Sequence, residues 1–292
     1  MSEQNENNIS NNEIVICNKY KLLNQIGEGS FGKIFEAENI LTNNKVAIKI
    51  EKKNNTSLLK HEANIYYKCK NIKGISNIKF FGTEENFNYI VMDLLGPSID
   101  KMRENQGGKM KLNDVLTMSI YLIHCLENLH NNGIIHRDIK PENILTNVEC
   151  NINKLYLIDF GLSRYYIDNE RNHIPIKYNK KFIGNVRFAS INIHNGIEPS
   201  RRDDLISLGY IFITCLKGSL PWQNVSSKIK EEKYNLIKNI KESTSLIELC
   251  SDIPYEFLSY MNYCYSLKYE EEPNYIYIKQ LFVNLYNMMY KK

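Results

Sequence analysis

The chain has 292 residues, of which 43% are hydrophobic and 24% charged, a composition typical of a globular protein with a sizeable core. Its formal net charge of +4 at pH 7 gives no argument for nucleic-acid binding, although it allows an acidic or phosphorylated partner. Seven widely spaced cysteines without a Cys-x-x-Cys pair indicate neither a zinc site nor a disulfide framework, and no apolar run approaches the ~18 residues that span a membrane. We therefore expect an intracellular protein of the cytoplasm, the nucleus or both, without a signal peptide.

The N-terminal part of the chain begins with a polar arm and continues with strand-like runs. Residues 1–12 have almost nothing to bury, so we expect a disordered arm, with a functional tail as the alternative. Residues 20–26 are strand-like and residues 33–38 alternate with period two. A turn at 41–44 then precedes a second strand-like run at 46–50.

The sequence Gly-Glu-Gly-Ser-Phe-Gly at residues 27–32 lies between the first two of these runs. Its spacing also marks dinucleotide-binding folds, where it opens a helix and an acidic residue, here Glu51, follows about 20 positions later. The alternation after Gly32 instead favours a β-hairpin. Such a hairpin can fold over phosphates and donate backbone N–H groups, with Phe31 at its tip shielding the site from water.

The next part of the chain mixes a helix with strands. Residues 51–57 are polar and predict a loop, and residues 58–69 predict a helix. Strand-like runs follow at 78–81 and 89–92. A Gly-Pro pair within residues 93–97 breaks the pattern, and we place the boundary between two lobes there.

The remainder of the chain is predicted to be mainly helical. Helices are predicted at residues 113–132, 203–216, 228–241 and 275–289. Asn113 is expected to cap the first of them and Gly133 to end it. A polar turn at 147–154 joins two short apolar runs and predicts a hairpin-like pair.

Residues 136–161 carry the groups that phosphoryl transfer needs. The stretch begins His-Arg-Asp-Ile-Lys-Pro-Glu-Asn and ends Leu-Ile-Asp-Phe-Gly. Asp138 suits the carboxylate that orients or deprotonates an attacking hydroxyl, and Lys140 suits the cation near the transferring phosphate. Asn143 and Asp159 supply the hard oxygen ligands that Mg²⁺ prefers.

This arrangement resembles the protein kinase family residue for residue, from His-Arg-Asp-x-Lys-x-x-Asn to Asp-Phe-Gly. The resemblance implies an α+β, bilobal kinase fold over residues 20–290, with ATP and Mg²⁺ as cofactors. It implies a small β-rich N-lobe with one main helix at about 20–92, a hinge at about 93–97 and a larger, mainly helical C-lobe at about 98–290.

The family resemblance also implies roles for single residues. Lys49 would hold the α- and β-phosphates, and Glu62 would pair with it, the alternative for Glu62 being an ordinary solvated side chain. Met92 would guard the back of the nucleotide pocket, and backbone groups of Asp93 and Leu95 would meet the adenine edge. The implied catalytic residues are Asp138, Lys140, Lys49 and Glu62. The implied ATP-binding residues are Ile26, Gly27, Glu28, Gly29, Ser30, Phe31, Gly32, Lys33, Ile34, Ala47, Lys49, Met92, Asp93, Leu95, Leu145 and Ile158.

A narrower resemblance depends on three later runs. Most kinases carry Ala-Pro-Glu where this chain has Ser-Ile-Asn at 190–192. Together with Ser-Arg-Arg-Asp-Asp-Leu at 200–205 and Gly-Ser-Leu-Pro-Trp at 218–222, this looks like the casein kinase 1 family, over nearly the whole chain. Asp204 corresponds to the buried aspartate that supports the catalytic loop backbone.

The casein kinase 1 resemblance implies a Ser/Thr kinase that prefers acidic or already phosphorylated protein substrates. By position, Arg187 and Lys230 match one phosphate-binding pair, the first anion site. Arg137, Arg164 and Lys180 match a second cluster, the second anion site. Solvated charges are the alternative for each residue alone. We also expect a monomer without direct nucleic-acid or membrane binding, which is active without activation-loop phosphorylation.

Two departures and three competing interpretations remain. Asn185 stands where the family usually has Thr, and Phe188 replaces the usual Tyr. A pseudokinase scaffold would be expected to lack at least one of four residues that the reaction needs. All four are present: Lys49, Asp138, Asn143 and Asp159. A vaccinia-related kinase is the runner-up within kinases. A nucleotide-dependent oxidoreductase would need a strand–helix unit after the glycines, which this sequence does not predict.

Overall fold

The computed structural model describes residues 14–29, 32–53 and 57–290. The arm expected at residues 1–12 lies outside the described residues, and so do Ser30 and Phe31. The chain divides into two compact units. The first comprises the described parts of Met1–Lys60 and Ile78–Leu94, and the second those of His61–Asn77 and Leu95–Lys292.

The first unit is built on a six-stranded antiparallel sheet in the order β1-β2-β3-β4-β6-β5. Its strands are β1 (Val15–Ile16), β2 (Tyr20–Gly29), β3 (Gly32–Asn39), β4 (Lys45–Lys52), β5 (Ile78–Thr83) and β6 (Phe87–Asp93). The predicted hairpin is confirmed, because β2 and β3 pair as far as Gly29 opposite Gly32. This pairing excludes the helix that a dinucleotide-binding fold requires after its glycines.

The two faces of this sheet have different side chains because successive residues of a strand point to opposite sides. One face forms a buried cluster of Ile16, Tyr20, Ala37, Val46, Ile48, Tyr89 and Val91. On the other face, the register places Ile34 opposite Lys49 and Ala47 opposite Met92. Four of the residues predicted to bind ATP therefore share the face opposite the cluster.

Glu51 belongs to the sheet, so the prediction that a loop begins at this residue was wrong. Strand β4 continues to Lys52, because Glu51 and Lys52 pair with residues of β6, and this pairing outweighs their polar composition. The buried Glu51 Oε2 accepts hydrogen bonds from Ser57 Oγ (2.8 Å) and Leu59 N (3.4 Å). Its carboxylate thus binds the start of the helix that follows and is not free to bind a ribose.

The second unit is mainly helical. Its helices are α1 (Leu58–Lys68, whose first turn is counted with the first unit), α2 (Ile99–Asn105), α3 (Leu112–Asn131), α4 (Ile191–His194), α5 (Arg201–Lys217), α6 (Lys230–Ser243), α7 (Leu246–Leu249), α8 (Tyr255–Ser266) and α9 (Tyr275–Tyr290). Its strands are β7 (Ile134–Ile135), β8 (Ile144–Thr146), β9 (Leu155–Leu157) and β10 (Arg164–Tyr165). The predicted helices are confirmed within two residues at each end, and β8 and β9 form the predicted hairpin.

The cap predicted for α3 was wrong. The helix begins one residue earlier than expected, after Lys111, which makes no side-chain capping bond. Asn113 lies inside the first turn, where its carbonyl accepts a hydrogen bond from Thr117 Oγ1 (2.9 Å). Asp114 in the same turn offsets the partial positive charge of the helix start. The predicted end is confirmed, since Gly133 follows the helix with φ +76°.

Helix α5 forms the centre of the second unit, and its residues from Asp203 to Cys215 are all buried. Its Phe212 ring packs with the rings of Phe257, Tyr260 and Phe282, with centroids 5.0 to 6.4 Å apart in this cluster. Because α5 is surrounded along its length, the two aspartates of its first turn, Asp203 and Asp204, are held inside the protein.

Within the part of the chain that the structure describes, no helix has both the length and the hydropathy to cross a bilayer. All seven cysteines are free thiols, and of these Cys17 and Cys150 are exposed. The buried ones are Cys69, Cys125, Cys215, Cys250 and Cys264. Burial raises the pKa of Cys125 and of Cys215 to about 12, so these thiols stay protonated.

Candidate active site

Asp138 lies in the loop between β7 and β8 and is buried. Its Oδ2 accepts hydrogen bonds from Lys140 Nζ (2.6 Å) and Asn143 Nδ2 (3.2 Å). Its Oδ1 faces Gly184, where a Cβ atom would lie 3.5 Å away. The structure therefore brings together three of the predicted site residues. Two donors fix the carboxylate, and they leave Oδ1 to accept a hydrogen bond from an incoming hydroxyl.

Asp204 supports the backbone of this loop, as the family resemblance implied. Its carboxylate accepts the backbone N–H groups of His136 (2.7 Å) and Arg137 (2.9 Å) and a bond from His130 Nε2 (3.0 Å). Arg137 has φ +68°, a left-handed conformation that these bonds stabilise. Burial acts to raise the pKa of Asp204, but the hydrogen bonds outweigh it and hold the pKa below its ordinary value.

His136 connects the catalytic loop to the end of β9. The backbone N–H of Asp138 donates to His136 Nδ1 (3.3 Å), so the ring proton lies on Nε2, which donates to Ile158 O (3.0 Å). The ring also packs against Phe160, with centroids 4.9 Å apart. One imidazole ring thus joins the residue that would orient the hydroxyl to the strand that precedes Asp159.

Asp159 has a left-handed backbone, with φ 65° and ψ 71°. A side-chain-bearing residue pays roughly 1–2 kcal/mol for this conformation, so its surroundings must hold it there. Its N–H donates to the hydroxyl of Tyr66 (3.2 Å), and the buried ring of Phe160 packs edge-on against Tyr66 at 4.9 Å. These contacts hold the backbone of Asp159 in place directly after the hairpin.

The two predicted metal ligands lie at the same end of the β8–β9 hairpin, because Ile158 N donates to Asn143 O (3.0 Å). Asn143 uses Nδ2 to bond Asp138, which leaves Oδ1 as the atom that could hold a metal. An amide oxygen and a carboxylate suit Mg²⁺, which commonly takes one or two protein ligands and completes its shell with water and phosphate oxygens. Among the described residues, no group of three or more His, Cys, Asp or Glu side chains is arranged to hold a metal.

The residues predicted to bind ATP are divided between the units. The described residues from Ile26 to Ile34, with Ala47, Lys49, Met92 and Asp93, belong to the first, and Leu95, Leu145 and Ile158 to the second. Lys49 and Glu62 are likewise divided. The ion pair between these two, and the ATP contacts, stay predictions.

The second anion site contains a carboxylate that the sequence analysis missed. The buried Glu198 lies 2.7 Å from Arg164 Nη1, 3.5 Å from Lys180 Nζ and 3.7 Å from Arg137 Nη1. Arg137 Nε also donates to Leu162 O (2.6 Å), and burial lowers the pKa of Arg137. The three predicted cations do converge, but around an acidic group of the chain itself.

Arg187, one of the two residues of the predicted first anion site, follows a part of the chain that passes close to the catalytic loop. Gly184 has φ +84°, and a Cβ there would lie 2.4 Å from Arg137 O, so only glycine fits. The Oδ1 atom of Asn185 accepts a hydrogen bond from the backbone N–H of Arg187 (2.9 Å). The Nδ2 group of Asn185 can then donate to another partner. Lys230 begins α6, with Nζ 5.5 Å from the ring of Tyr234.

The Ser-Ile-Asn run is joined to the start of α5. Asp203 Oδ1 accepts hydrogen bonds from Ser190 Oγ (2.5 Å) and Asn192 Nδ2 (3.0 Å), and its Oδ2 accepts from Ser200 N (2.8 Å). Burial raises the pKa of Asp203 in spite of these bonds. Both polar side chains of the run therefore have a structural partner in the Ser-Arg-Arg-Asp-Asp-Leu run that follows.

The chain matches a model of a known protein family. The family model described as the protein kinase domain matches residues 20–281 of the chain. The match includes the glycine hairpin, the catalytic loop with Asp138, and helices α1 to α8 together with part of α9.

Proposed function

The chain belongs to the protein kinase family, and from this premise we propose that it is a serine/threonine kinase of the casein kinase 1 type. It would transfer the γ-phosphoryl group of ATP to hydroxyls of acidic or phosphate-primed proteins, acting as a monomer. Membership of this family supports a phosphotransferase, and protein kinase domains generally use ATP and Mg²⁺.

The observation that carries the proposal is the geometry at Asp138. With Oδ2 held by Lys140 and Asn143, Oδ1 is directed to the side of Gly184, where the substrate hydroxyl would come. Lys140 would then also meet the negative charge of the transferring phosphate. Asn143 Oδ1 and the Asp159 carboxylate would hold Mg²⁺, which when bound neutralises phosphate charge and orients the phosphates.

The casein kinase 1 type is supported by the Ser-Ile-Asn run. Its Ser190 and Asn192 both bond Asp203, so the run and the α5 start form one hydrogen-bonded unit. An Ala-Pro-Glu run at this position would lack both donors. This favours the casein kinase 1 type over kinases with the common run.

Activity without an upstream kinase is supported by two features of the segment between Asp159 and Ser190. The segment has no threonine, and its serines, Ser163 and Ser190, are buried. In many kinases a phosphate on this segment pairs with the arginine of His-Arg-Asp. Here Glu198 already supplies a carboxylate to the cluster that contains Arg137.

The test uses the full chain, purified from bacteria, treated with phosphatase and then freed of it. We expect Mg²⁺-dependent transfer from ATP to casein and to acidic peptides with a Ser or Thr acceptor, and little to a matched Tyr peptide. The control is Asp138→Asn, which should bind ATP nearly as wild type and lose most turnover, because only the orientation of the hydroxyl is removed.

Three outcomes would contradict parts of the proposal. Equal turnover by Asp138→Asn would refute the assignment of that residue. ATP binding without transfer to any acceptor would indicate a pseudokinase. Activity that appears only after phosphorylation by another kinase would refute the claim of independent activity.

A further inference from the structure

Residues 186–189, the segment that carries Arg187, are held by side chains from outside the segment. Lys241 Nζ donates to Val186 O (2.9 Å) and Ala189 O (2.6 Å), and Trp222 Nε1 donates to Arg187 O (2.8 Å). Three of the four carbonyl groups of residues 186–189 thus have a buried side-chain donor. The segment's conformation is therefore set by α6 and the loop before it.

Lys241 is an unusual residue at this place because it is buried, with 4% of its surface exposed. Its Nζ lies 5.2 and 5.1 Å from the ring centroids of Tyr210 and Trp222 and 3.3 Å from His194 Nε2. Burial acts to lower the pKa of Lys241 well below its ordinary value, whereas two carbonyl acceptors and two aromatic ring faces favour the ammonium form. Burial, together with the Lys241 charge, lowers the pKa of His194 to about 3. His194 Nε2 is thus an unprotonated acceptor, and three acceptors match the three N–H groups of an ammonium.

A buried ammonium stabilises a fold less than a well-packed apolar side chain of the same size often would. Its distinctive contribution here is geometric. Helix α6 carries Lys230 at its first residue and Lys241 near its end. One rigid helix therefore carries Lys230, a predicted phosphate-binding cation, and through Lys241 also binds the segment that carries Arg187, the other predicted cation.

The chain just before this segment meets the catalytic loop, because Gly184 packs against the backbone of Arg137 beside Asp138. The backbone N–H groups of Phe188 and Ala189 both donate to Asn185 O. The segment thus has a fixed path from the catalytic loop to α6. A shift at its α6 end would move Arg187 relative to Asp138.

We propose that Lys241 is a positioning residue for the phosphoacceptor peptide: its ammonium fixes residues 186–189 so that Arg187, Lys230 and Asp138 keep one geometry. The inference rests on the proposed protein-kinase activity, which it extends by one residue that does not touch the peptide itself. It requires that loss of the Lys241 bonds weaken the binding of the peptide much more than the binding of ATP.

Three substitutions test the proposal. Lys241→Met keeps the length of the side chain and removes all donors, and we expect its KM for a serine peptide to rise on the order of 10-fold or more. Trp222→Phe removes one N–H and keeps a ring, and should raise the peptide KM by a few-fold. Lys241→Arg keeps charge and donors, and should recover part of the loss. In all three, the KM for ATP should stay within about twofold.

The matched control is Lys238→Met, the same change on the same helix at a residue whose side chain is 31% exposed. It should leave both KM values unchanged. A second measurement does not need activity: amide hydrogen exchange at Phe188 and Ala189 should be faster in Lys241→Met than in wild type, by on the order of 10-fold or more.

The outcomes separate this proposal from the proposed function. If wild type transfers phosphate to no acceptor, the proposed function fails, and the exchange rates alone then decide whether Lys241 fixes the segment. If the peptide KM and the ATP KM rise together, or if exchange at residues 188–189 is unchanged, Lys241 has only a general structural role and the proposal is overturned. Should Lys241→Met not fold, Trp222→Phe and Lys241→Arg give the same decision.

Discussion

At the scale of single residues, the candidate site depends on carboxylates whose two oxygens have different partners. One oxygen of Asp138 accepts hydrogen bonds from Lys140 and Asn143, and both oxygens of Asp204 accept from backbone and histidine donors. Glu198 lies among three cations. Because each carboxylate has its own set of donors, each substitution to the amide should produce a distinct effect. Two predictions follow at this scale.

Asp159→Asn should weaken ATP binding only when Mg²⁺ is present. The amide has no charge to offer the metal, so the affinity measured with Mg²⁺ should fall roughly 10- to 100-fold, whereas the affinity measured in excess EDTA should not change. Isothermal titration calorimetry with ATP makes both measurements. Asp168→Asn, at an exposed carboxylate that accepts backbone N–H groups of its own turn, is the control. Identical losses with and without Mg²⁺ would remove Asp159 from the metal site.

Glu198→Gln should leave the second anion site short of negative charge. Three cations would then face one another with a neutral amide between them, so we expect a lower melting temperature and a several-fold lower kcat. Sulfate at tens of millimolar should restore part of the activity by taking the place of the carboxylate. Steady-state assays with and without sulfate check this, and Glu170→Gln, at an exposed carboxylate outside the second anion site, is the control. A mutant that matches wild type and ignores sulfate would show that Glu198 is dispensable.

At the scale of elements, the predicted first anion site would combine a residue of a loop segment with the first residue of a helix. Arg187 has its backbone N–H on Asn185 and its carbonyl on Trp222, so its side chain projects from a fixed point. Lys230 lies where α6 begins and is exposed. A peptide phosphate between them would gain charge-assisted hydrogen bonds without the entropy of ordering the segment.

A phosphoserine about three residues before the acceptor serine should raise kcat/KM on the order of 10- to 100-fold over the unphosphorylated peptide. The preference should shrink as salt rises, because both cations are accessible to solvent. Arg187→Ala combined with Lys230→Glu should abolish the preference and keep the unprimed rate within a few-fold. Arg187→Ala with Lys238→Glu, the same change in total charge, should keep part of it. If the first double mutant still prefers the primed peptide as strongly as wild type, the phosphate binds elsewhere.

At the scale of the whole molecule, the second unit buries neutral histidines and should lose stability in mild acid. Burial lowers the pKa of His130, of His173 and of His194, the last to about 3. The unfolded chain takes up protons on these residues below their usual pKa of about 6.5, and the folded chain does so only at lower pH. The free energy of unfolding should therefore fall as pH drops below 6.5, by at most about 1.4 kcal/mol per pH unit for each histidine, and by less for the more exposed His173.

Urea unfolding followed by fluorescence measures this slope, because the single tryptophan, Trp222, is buried in the second unit. His194→Gln, which keeps an acceptor for Lys241, should reduce the slope between pH 6.5 and 5. His124→Gln, at a side chain that is 45% exposed, should not. An unchanged slope in the first variant would mean that His194 titrates alike in the folded and unfolded chains.

The sequence predicted the features that depend on local patterns. Period-two alternation and the glycine run gave the β2–β3 hairpin, and the spacing of Asp138, Lys140 and Asn143 gave a cluster that the structure shows in contact. The prediction could not find Glu198 or Lys241, because nothing beside either residue in the chain differs from an ordinary solvated charge. Their roles arise only in the folded chain, where Glu198 lies among the cations of the second anion site and α6 brings Lys241 to residues 186–189.

Asn113 illustrates the opposite limit. It is a good capping residue at a plausible helix start, yet the chain starts α3 earlier with Lys111, which makes no side-chain cap. Local propensity is weak compared with the burial of an apolar face, and Val115 and Leu116 must point inward. Boundaries therefore follow packing, which a pattern of single residues does not contain.

The two exposed cysteines allow the native chain to be labelled for fluorescence spectroscopy. Cys17 belongs to the first unit and Cys150 to the second, and both are exposed, whereas the other five cysteines are buried. A maleimide dye pair would therefore attach to one site on each unit without any mutation. Energy transfer between the dyes, recorded on single molecules as nucleotide is added, would then report the separation of the two units in solution directly.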